Sequence, residues 1–447
     1  MLGLLRRHGR NAGFALWDQG AFSAGNFIFN VMLARWLDGA AYGTVTLVLS
    51  LNLAVLAFYS PLLLESANVI GPVRYGHMLR HYGRALIALH VVLCGGFALA
   101  CALIGAALSD AFQRTTLWLL AGSAPFVLLV WLARRLPYVV RTPAKAATVS
   151  TLYAALLCLG TIAAGALDVL SPVSAIATVV IASAGAAIPP LLIGFRERPH
   201  QERPPIVGLS AKIIREHWHY SRWLLLAALL FLPVSLVQTV FASTFLSVEA
   251  VGVLRAATNL TIPASLLMTA ATTFALPLVV RDISRDDRAA AWRKARHLTI
   301  LMTGLCLLYY LVVVLFASKL DSVLYAGRYQ QHIWLVSILG LIPVLGGLGV
   351  GGALLLRAVQ RPHFVLISAA ISGPASAIAS AILIPTYGLE GAAATALIAP
   401  LVFLGVIWRF FAAERRSDIT AEGRSRSASP CDRYGAMSWI EGNERPT

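Results

Sequence analysis

Leu37-Asp-Gly-Ala-Ala-Tyr-Gly43 leads directly into Thr44-Val-Thr-Leu-Val-Leu-Ser-Leu-Asn-Leu-Ala-Val-Leu-Ala-Phe-Tyr-Ser-Pro-Leu-Leu-Leu64, a run of 21 residues without a charge. A helix needs roughly 20 apolar residues to cross the hydrocarbon layer of a bilayer. The run therefore reads as a membrane span, and comparable runs recur along the chain. Spans are predicted at 14–35, 43–64, 85–108, 116–137, 147–167, 173–195, 221–245, 250–280, 298–318, 332–356, 364–384 and 389–411. Several contain Pro or Gly, which membrane helices tolerate better than soluble ones. Composition agrees. Of 447 residues 58% are hydrophobic and only 13% charged, with a mean hydropathy of +0.75, against roughly 45–50% and about 25% for soluble chains. A soluble domain with so little surface charge would aggregate. The predicted fold class is all-α, a polytopic membrane protein of about twelve transmembrane helices.

The net charge of +16 is distributed by side. All but five of the 36 Lys and Arg fall at the N-terminus, in the connections 65–84, 138–146, 196–220, 281–297 and 357–363 with their flanking helix ends, or in the C-terminal tail. The five on the other side are Arg35, Arg114, Arg255, Lys319 and Arg328. This asymmetry is the positive-inside pattern and predicts both termini in the cytoplasm of a multi-pass inner-membrane protein. It accounts for the basic balance without a nucleic-acid partner. The apolar stretch after Arg6, Arg7 and Arg10 runs past Leu33 without a small-residue cleavage pattern, so no cleavable signal peptide is expected. Residues 413–447, rich in Arg, Ser, Glu and Gly, are expected to form a disordered cytoplasmic tail.

The opening turn repeats. Leu246-Ser-Val-Glu-Ala-Val-Gly252 follows Leu37-Asp-Gly-Ala-Ala-Tyr-Gly43 after 209 residues, and both enter a long helix at the less basic face with a carboxylate, small residues and Gly. The spacing predicts an N-terminal six-helix lobe over 1–195, a cytoplasmic linker loop over 196–220 and a C-terminal six-helix lobe over 221–412. Transporters are commonly built from such repeats, with the substrate site between the halves.

Polar side chains within spans are costly and usually face protein or a water-filled cavity. In the first span Gln19, Ser23, Asn26 and Asn30 fall on one stripe. They read as the wall of a hydrated cavity or as interhelical hydrogen-bond partners. In the eighth span Arg255, Thr258, Asn259, Ser265, Thr269, Thr272 and Thr273 occupy one wide face, with Pro263 expected to bend the helix. The planar guanidinium of Arg255 suits phosphate; the competing readings are snorkelling to headgroups or pairing with Glu249. Arg35, about 160° from the polar stripe, reads as a substrate contact or as an interfacial anchor beside Trp36. Asp18 is a candidate proton or cation carrier, or else the partner of an arginine such as Arg10 or Arg222. Glu65, at the inner end of the second span, reads as solvated.

Other groupings point away from metal and nucleotide chemistry. The five cysteines form no CxxC or Cys/His cluster, so neither a disulfide framework nor zinc is expected. Gly347-x-Gly-x-x-Gly352 imitates a dinucleotide fingerprint but lies inside an apolar span, where close helix packing is the better reading. His217-Trp-His219 lacks a third ligand. The sequon Asn259-Leu-Thr261 is buried in a span. No cofactor is expected, and no nucleophile elbow, Walker loop or carboxylate dyad marks the chain as an enzyme.

With the spans placed, Trp17-Asp-Gln-Gly-Ala-Phe-Ser-Ala-Gly-Asn26, Leu33-Ala-Arg-Trp-Leu37 and Tyr42-Gly43 resemble the opening of bacterial polysaccharide flippases. These belong to the multidrug/oligosaccharidyl-lipid/polysaccharide exporter superfamily. Val251-Gly-Val-Leu-Arg-Ala-Ala-Thr-Asn259, with Pro263 and Leu276-Pro277, is similar to helix eight of exopolysaccharide and O-antigen members; Tyr387-Gly-Leu-Glu-Gly-Ala-Ala-Ala-Thr395 is similar to the entry into helix twelve. The resemblance spans nearly the whole chain outside the tail, and the order and spacing of its motifs carry it. It implies two six-helix lobes around a central cavity that opens alternately to either face. The implied cargo is an oligosaccharide on polyprenyl diphosphate, moved to the outer leaflet, with membrane lipid and other polysaccharide assembly proteins as partners. Arg255 would meet the diphosphate, with Arg35 as a further cation; Gln19, Asn26, Asn30 and Asn259 would meet sugar. The first span lacks arginines before Arg35, unlike the strongly cationic pattern of the peptidoglycan-precursor branch, which argues against lipid II. Two other readings are a cation-coupled multidrug exporter of the same superfamily and a polysaccharide polymerase or ligase. The outer connections are too short for the catalytic loop that the latter needs.

Overall fold

The computed structural model describes residues 2–75, 78–140, 142–194, 206–232, 236–285, 287–358 and 363–427. Residues 196–205 of the predicted linker and 428–447 of the predicted tail lie outside them. All regular structure among the described residues is helical: α1 (Leu2–Trp36), α2 (Gly39–Tyr59), a π-helical turn (Ser60–Glu65), α3 (Ser66–Arg74), α4 (Leu79–Ala107), α5 (Ala111–Val139), α6 (Pro143–Ala166), α7 (Pro172–Gly194), α8 (Ile206–Leu232), α9 (Gln238–Phe245), α10 (Val248–Asn259), α11 (Ile262–Ser284), α12 (Arg288–Leu315), α13 (Ala317–Tyr325), α14 (Trp334–Leu339), α15 (Leu341–Ala358) and α16 (His363–Ser427).

Each of the twelve expected spans coincides with a helix or a broken helix. Among the described residues eight helices are long and apolar enough to cross a bilayer, one of them, in α16, long enough for two of these spans, and α10–α11 make a further span bent by 50°. That bend sits just before Pro263, where the missing N–H and the ring demand it. α16 is two spans, divided at Gly388, whose φ of 61° and ψ of −133° suit only glycine. The first span is α1, whose polar stripe dilutes its hydropathy, and the seventh is α8–α9. The chain thus forms two six-helix lobes about a central cavity.

Three boundaries differ from expectation. Residues 206–220, expected as loop, form the first turns of α8, with Ile213 buried in a small core beside Tyr75 and Tyr82. α16 continues to Ser427, past the expected start of the tail at 413. The second span continues beyond Leu64 through a π-helical turn into α3. Pro61 has no N–H and would clash with the carbonyl four residues back. Widening the ring accommodates it, and the Ser66 hydroxyl donates to Pro61 O at 2.7 Å.

Each lobe has its own core. Phe22, Phe29, Leu33, Val45, Val130, Tyr153, Leu157 and Ile176 fill the first, between α1, α2, α5, α6 and α7. Val251, Leu254, Leu260, Val313, Leu335 and Ile384 fill the second. The glycine-rich face of α15 lies against α12: a Cβ on Gly347 would stand 2.9 Å from Thr303 Cα, and one on Gly351 would collide with Ala295 O. That is the close packing read from Gly347-x-Gly-x-x-Gly352.

Candidate functional site

The lobes meet where the repeated turns meet. Asp38 caps α2 by accepting from Ala41 N at 2.7 Å, and Ser247, 209 residues later, caps α10 by accepting from Ala250 N at 3.0 Å. The helices so started cross with almost no separation. A Cβ on Gly43 would run into Val248 O, and one on Gly252 would lie 3.0 Å from Gly39 O and 3.1 Å from the Tyr42 ring. Below the crossing Asn259 donates to Tyr42 OH at 3.1 Å, both groups fully buried. This end of the molecule, opposite the basic loops, is sealed.

Immediately beneath the seal lies a cavity of about 240 Å³ bounded by Thr46, Ser50 and Leu53 of α2, Gln238 and Thr239 of α9, Val251, Leu254, Arg255 and Thr258 of α10, and Leu339. Its wall is part aliphatic, from Leu53, Val251, Leu254 and Leu339, and part polar, from hydroxyls, one amide and one guanidinium. Arg255 Nε donates to Asn30 Oδ1 at 3.4 Å, tying α10 to α1. Among the described residues no carboxylate pairs with Arg255. Glu249, its expected alternative partner, instead lies against Gly39. A cation and neutral polar groups that share a half-enclosed cavity are fitted to an anion carrying oxygens.

The remaining candidates separate. Asn30 joins the cavity through Arg255. Asn26 donates to Phe22 O at 2.8 Å and accepts from Tyr153 OH at 3.3 Å, so it bonds toward α6. Gln19 donates to Ser23 Oγ at 3.3 Å and accepts from Arg134 at 3.4 Å. Asn259 is sealed in the lobe crossing. On α11 the hydroxyls of Ser265, Thr269 and Thr272 bond back to their own helix; the side chain of Thr273 lies outside the described residues. The bend at Leu260–Thr261 is what divides the expected polar face.

Asp18 is buried and held by four donors from α5 and α6: Arg134 Nε at 3.0 Å and Nη2 at 3.2 Å, Tyr138 OH at 2.9 Å, and the Ser150 hydroxyl. Among the described residues its cationic partner is thus Arg134 and not Arg222; the side chain of Arg10 lies outside them. The Arg134 guanidinium also stacks 3.9 Å above the Phe22 ring. Sequence periodicity gave no sign of Arg134, which the charge count assigns simply to the basic face.

At the sealed face a third element joins. Arg35 donates to Val323 O, Arg328 to Leu37 O, and Tyr329 OH to Ala34 O at 3.4 Å. Arg35 is therefore a tie between α1 and α13. At the basic face, α8 binds the opposite lobe. His217 Nδ1 stands 2.8 Å from Leu62 O, so it carries the proton, and Nε2 accepts from Tyr82 OH at 2.7 Å. Tyr75 donates to Glu216 at 2.8 Å, and Arg74 pairs with Glu216 at 3.0 Å. Burial and this carboxylate push the Tyr75 hydroxyl up to about 12. His217-Trp-His219 is thus a structural contact. Among the described residues no group of three or more His, Cys, Asp or Glu is arranged to hold a metal ion.

No family model matches the sequence, and no curated protein matches it. Solved structures do. An inward-facing multidrug resistance MATE family transporter of the MOP superfamily superposes with a TM-score of 0.71 at 12% identity, covering 93% of this chain and 100% of that one. The lipid II flippase MurJ in an inward closed conformation gives 0.69 at 12% identity, over 88% and 86%. An outward-facing MATE family transporter gives 0.60 at 13% identity, over 94% and 96%. At such identity the likeness is one of fold.

Proposed function

We propose that the chain is a transporter that moves polyprenyl-diphosphate-linked oligosaccharide from the cytoplasmic to the outer leaflet of the bacterial inner membrane by alternating access, for exopolysaccharide or O-antigen synthesis. The observation that carries the reading is Arg255: a cation with no carboxylate partner among the described residues, in a cavity between the lobes whose other polar groups are neutral hydroxyls and an amide. A diphosphate needs that charge, and a glycan needs those neutral donors. The basic face is cytoplasmic by the positive-inside rule. A volume of about 240 Å³ falls below the roughly 300–1,000 Å³ of drug-sized ligand sites. In this state it holds no more than the phosphates, and the sugars enter when the lobes part. Asn30 positions Arg255, while Gln19 and Asn26 belong to the lower wall of the same helix. Other polysaccharide assembly proteins are the expected partners downstream.

A multidrug exporter for organic cations would want a carboxylate or aromatic cage in the cavity. No Asp or Glu lines it, and Asp18 is tied to Arg134 in the α1–α5–α6 cluster. The test is Arg255→Ala and Arg255→Lys in a strain whose chromosomal copy is deleted, with lipid-linked glycans assayed by leaflet. The expected result is glycan retained on the cytoplasmic face with Ala at normal membrane abundance, and partial recovery with Lys, which keeps the charge but not the fork. Transport by the Ala variant equal to wild type removes Arg255 from the mechanism. Unchanged lipid intermediates with altered drug sensitivity on deletion select the exporter.

A further inference from the structure

The segment that clamps the sealed face contains a carboxylate with nothing on one of its oxygens. α13 ends at Ala326 and Gly327, both left-handed with φ of 56° and 77°, and Gly327 N returns to Asp321 O at 3.2 Å. That turn swings the chain so that Tyr329 N donates to Asp321 Oδ1 at 3.2 Å. The same turn sets Arg328 and Tyr329 on the last carbonyls of α1. Asp321 is 4% exposed, and its Oδ2 has no hydrogen-bond partner. A cavity of about 20 Å³ adjoins it, walled by Val253, Ala256, Ala257, Leu260, Tyr325 and His332 among others. That is room for one water, which needs at least about 10–15 Å³.

The surroundings supply no counter-charge. From its own helix Asp321 shares a face with Tyr325, whose hydroxyl is given to Ala256 O; Lys319, two residues back and so turned away, is exposed with its ammonium over Phe316. From the following turn come Arg328, spent on Leu37 O, and Tyr329. His332 stands at the cavity wall, α10 presents only apolar side chains there, and Arg35 of α1 is spent on Val323 O. Among the described residues no cation lies within ion-pair distance of Asp321. A buried, ionised carboxylate with an empty oxygen is costly, and a proton on Oδ2 removes the cost.

We propose that Asp321, with the one-water cavity against its orphan oxygen, is a proton-binding site, and that the protonated form is the one that holds α13 on the end of α1. The proton comes from solvent at the sealed face, from hydronium to Oδ2, leaving water. Burial raises the affinity of Asp321 for its proton above that of an ordinary carboxylate, and the Tyr329 amide only partly offsets it. Once α13 leaves α1 and the carboxylate is hydrated, that affinity falls to the ordinary range. The closed form therefore binds the proton more tightly, and linkage makes protons favour closure. Closure is full at low pH and is lost as pH rises through the raised value. The proposal rests on the alternating-access part of the reading above and not on the cargo.

The test uses the full-length protein in phospholipid nanodiscs, its five native cysteines replaced by Ser. Ala40→Cys and Val323→Cys, both at exposed positions across the clamp, carry spin labels. Their separation is measured by pulsed electron resonance between about pH 4.5 and 8.5, a window that spans carboxylate and histidine titration. The expected result is a single short distance in acid and a second, longer one that grows with pH. The ratio shifts up to about tenfold for each pKa unit separating the two forms. Asp321→Asn should show only the short distance at every pH, and His332→Gln should titrate like the parent. A parent distribution that ignores pH, or an Asp321→Asn protein that still titrates, overturns the proposal. Loss of the pH response in His332→Gln assigns the proton to the histidine and overturns it as well. None of these readings needs cargo, so they stand apart from the outcome at Arg255.

Discussion

Replacing Asp18 by Asn changes two atoms at the centre of the α1–α5–α6 packing. The carboxylate accepts two guanidinium N–H groups at 3.0 and 3.2 Å, a phenol at 2.9 Å and the Ser150 hydroxyl. Asn keeps one acceptor oxygen and presents an amide donor where an acceptor stood. Arg134, with a side-chain exposure of 4%, then keeps its charge beside the one Asn oxygen, Gln19 Oε1 at 3.4 Å and the Phe22 and Trp131 faces. Removing one partner of a buried pair costs about 3–5 kcal/mol. A loss at the lower end, about 3 kcal/mol, is expected because these neutral contacts remain. Asp18→Leu with Arg134→Met removes both charges, leaves the Tyr138 and Ser150 hydroxyls without this acceptor, and should recover part of that loss. Equilibrium unfolding of purified protein in mixed detergent micelles measures both. An Asp18→Asn protein within about 1 kcal/mol of the parent, or a double variant no better than the single, refutes the argument. So would normal stability accompanied by loss of pH-dependent transport, because Asp18 would then be a coupling group.

Gly252→Leu forces a side chain into the α2–α10 crossing, where a Cβ alone already stands 3.0 Å from Gly39 O. The seal should fail to form, and the spin-label separation between positions 40 and 323 should be long at every pH in otherwise folded protein. At the basic face, burial lowers the affinity of His217 for a second proton below that of a free histidine. Its unfolded or detached form therefore binds more protons, and the contact weakens as pH falls below about 6.5. Melting temperature should drop between pH 7 and 5 in the parent, and part of that drop should vanish in His217→Gln.

What could be read before the structure was what depends on composition along one helix. Span positions, the bend ahead of Pro263, the packing role of Gly347 and Gly352, and the charge asymmetry all follow from local spacing. What could not be read was which helices meet. Asp18 calls for a cation, but its pairing with Arg134 depends on α5 bringing that side chain beside α1. Asn26 and Asn30 share a stripe, yet one turns to Tyr153 and the other to Arg255, because α1 is wrapped by α6 on one side and met by α10 on the other. Asp321 sat in a connection too short to suggest structure. Its interest comes entirely from the left-handed pair Ala326–Gly327, which folds Tyr329 back over it. Residues 206–220 are basic enough to read as loop, and their helix shows only once Ile213 has Tyr75 and Tyr82 to lie between.

The π-helical turn at Ser60–Glu65 has a mechanical side. On one side of it α2 bears the glycine crossing with α10; within it Leu62, and beyond it Arg74, take the contacts from α8. One continuous rod therefore carries a latch at each end, and the wide turn between them is where its hydrogen-bond ladder changes step. Such a rod behaves as a seesaw with a built-in swivel. Tilting it to spring one latch presses the other home, and the swivel lets each end keep its own facing while it does so. Stiffening that joint, for example by restoring a regular α-helical ladder through Pro61→Ala, would leave both latches intact and slow the exchange between them.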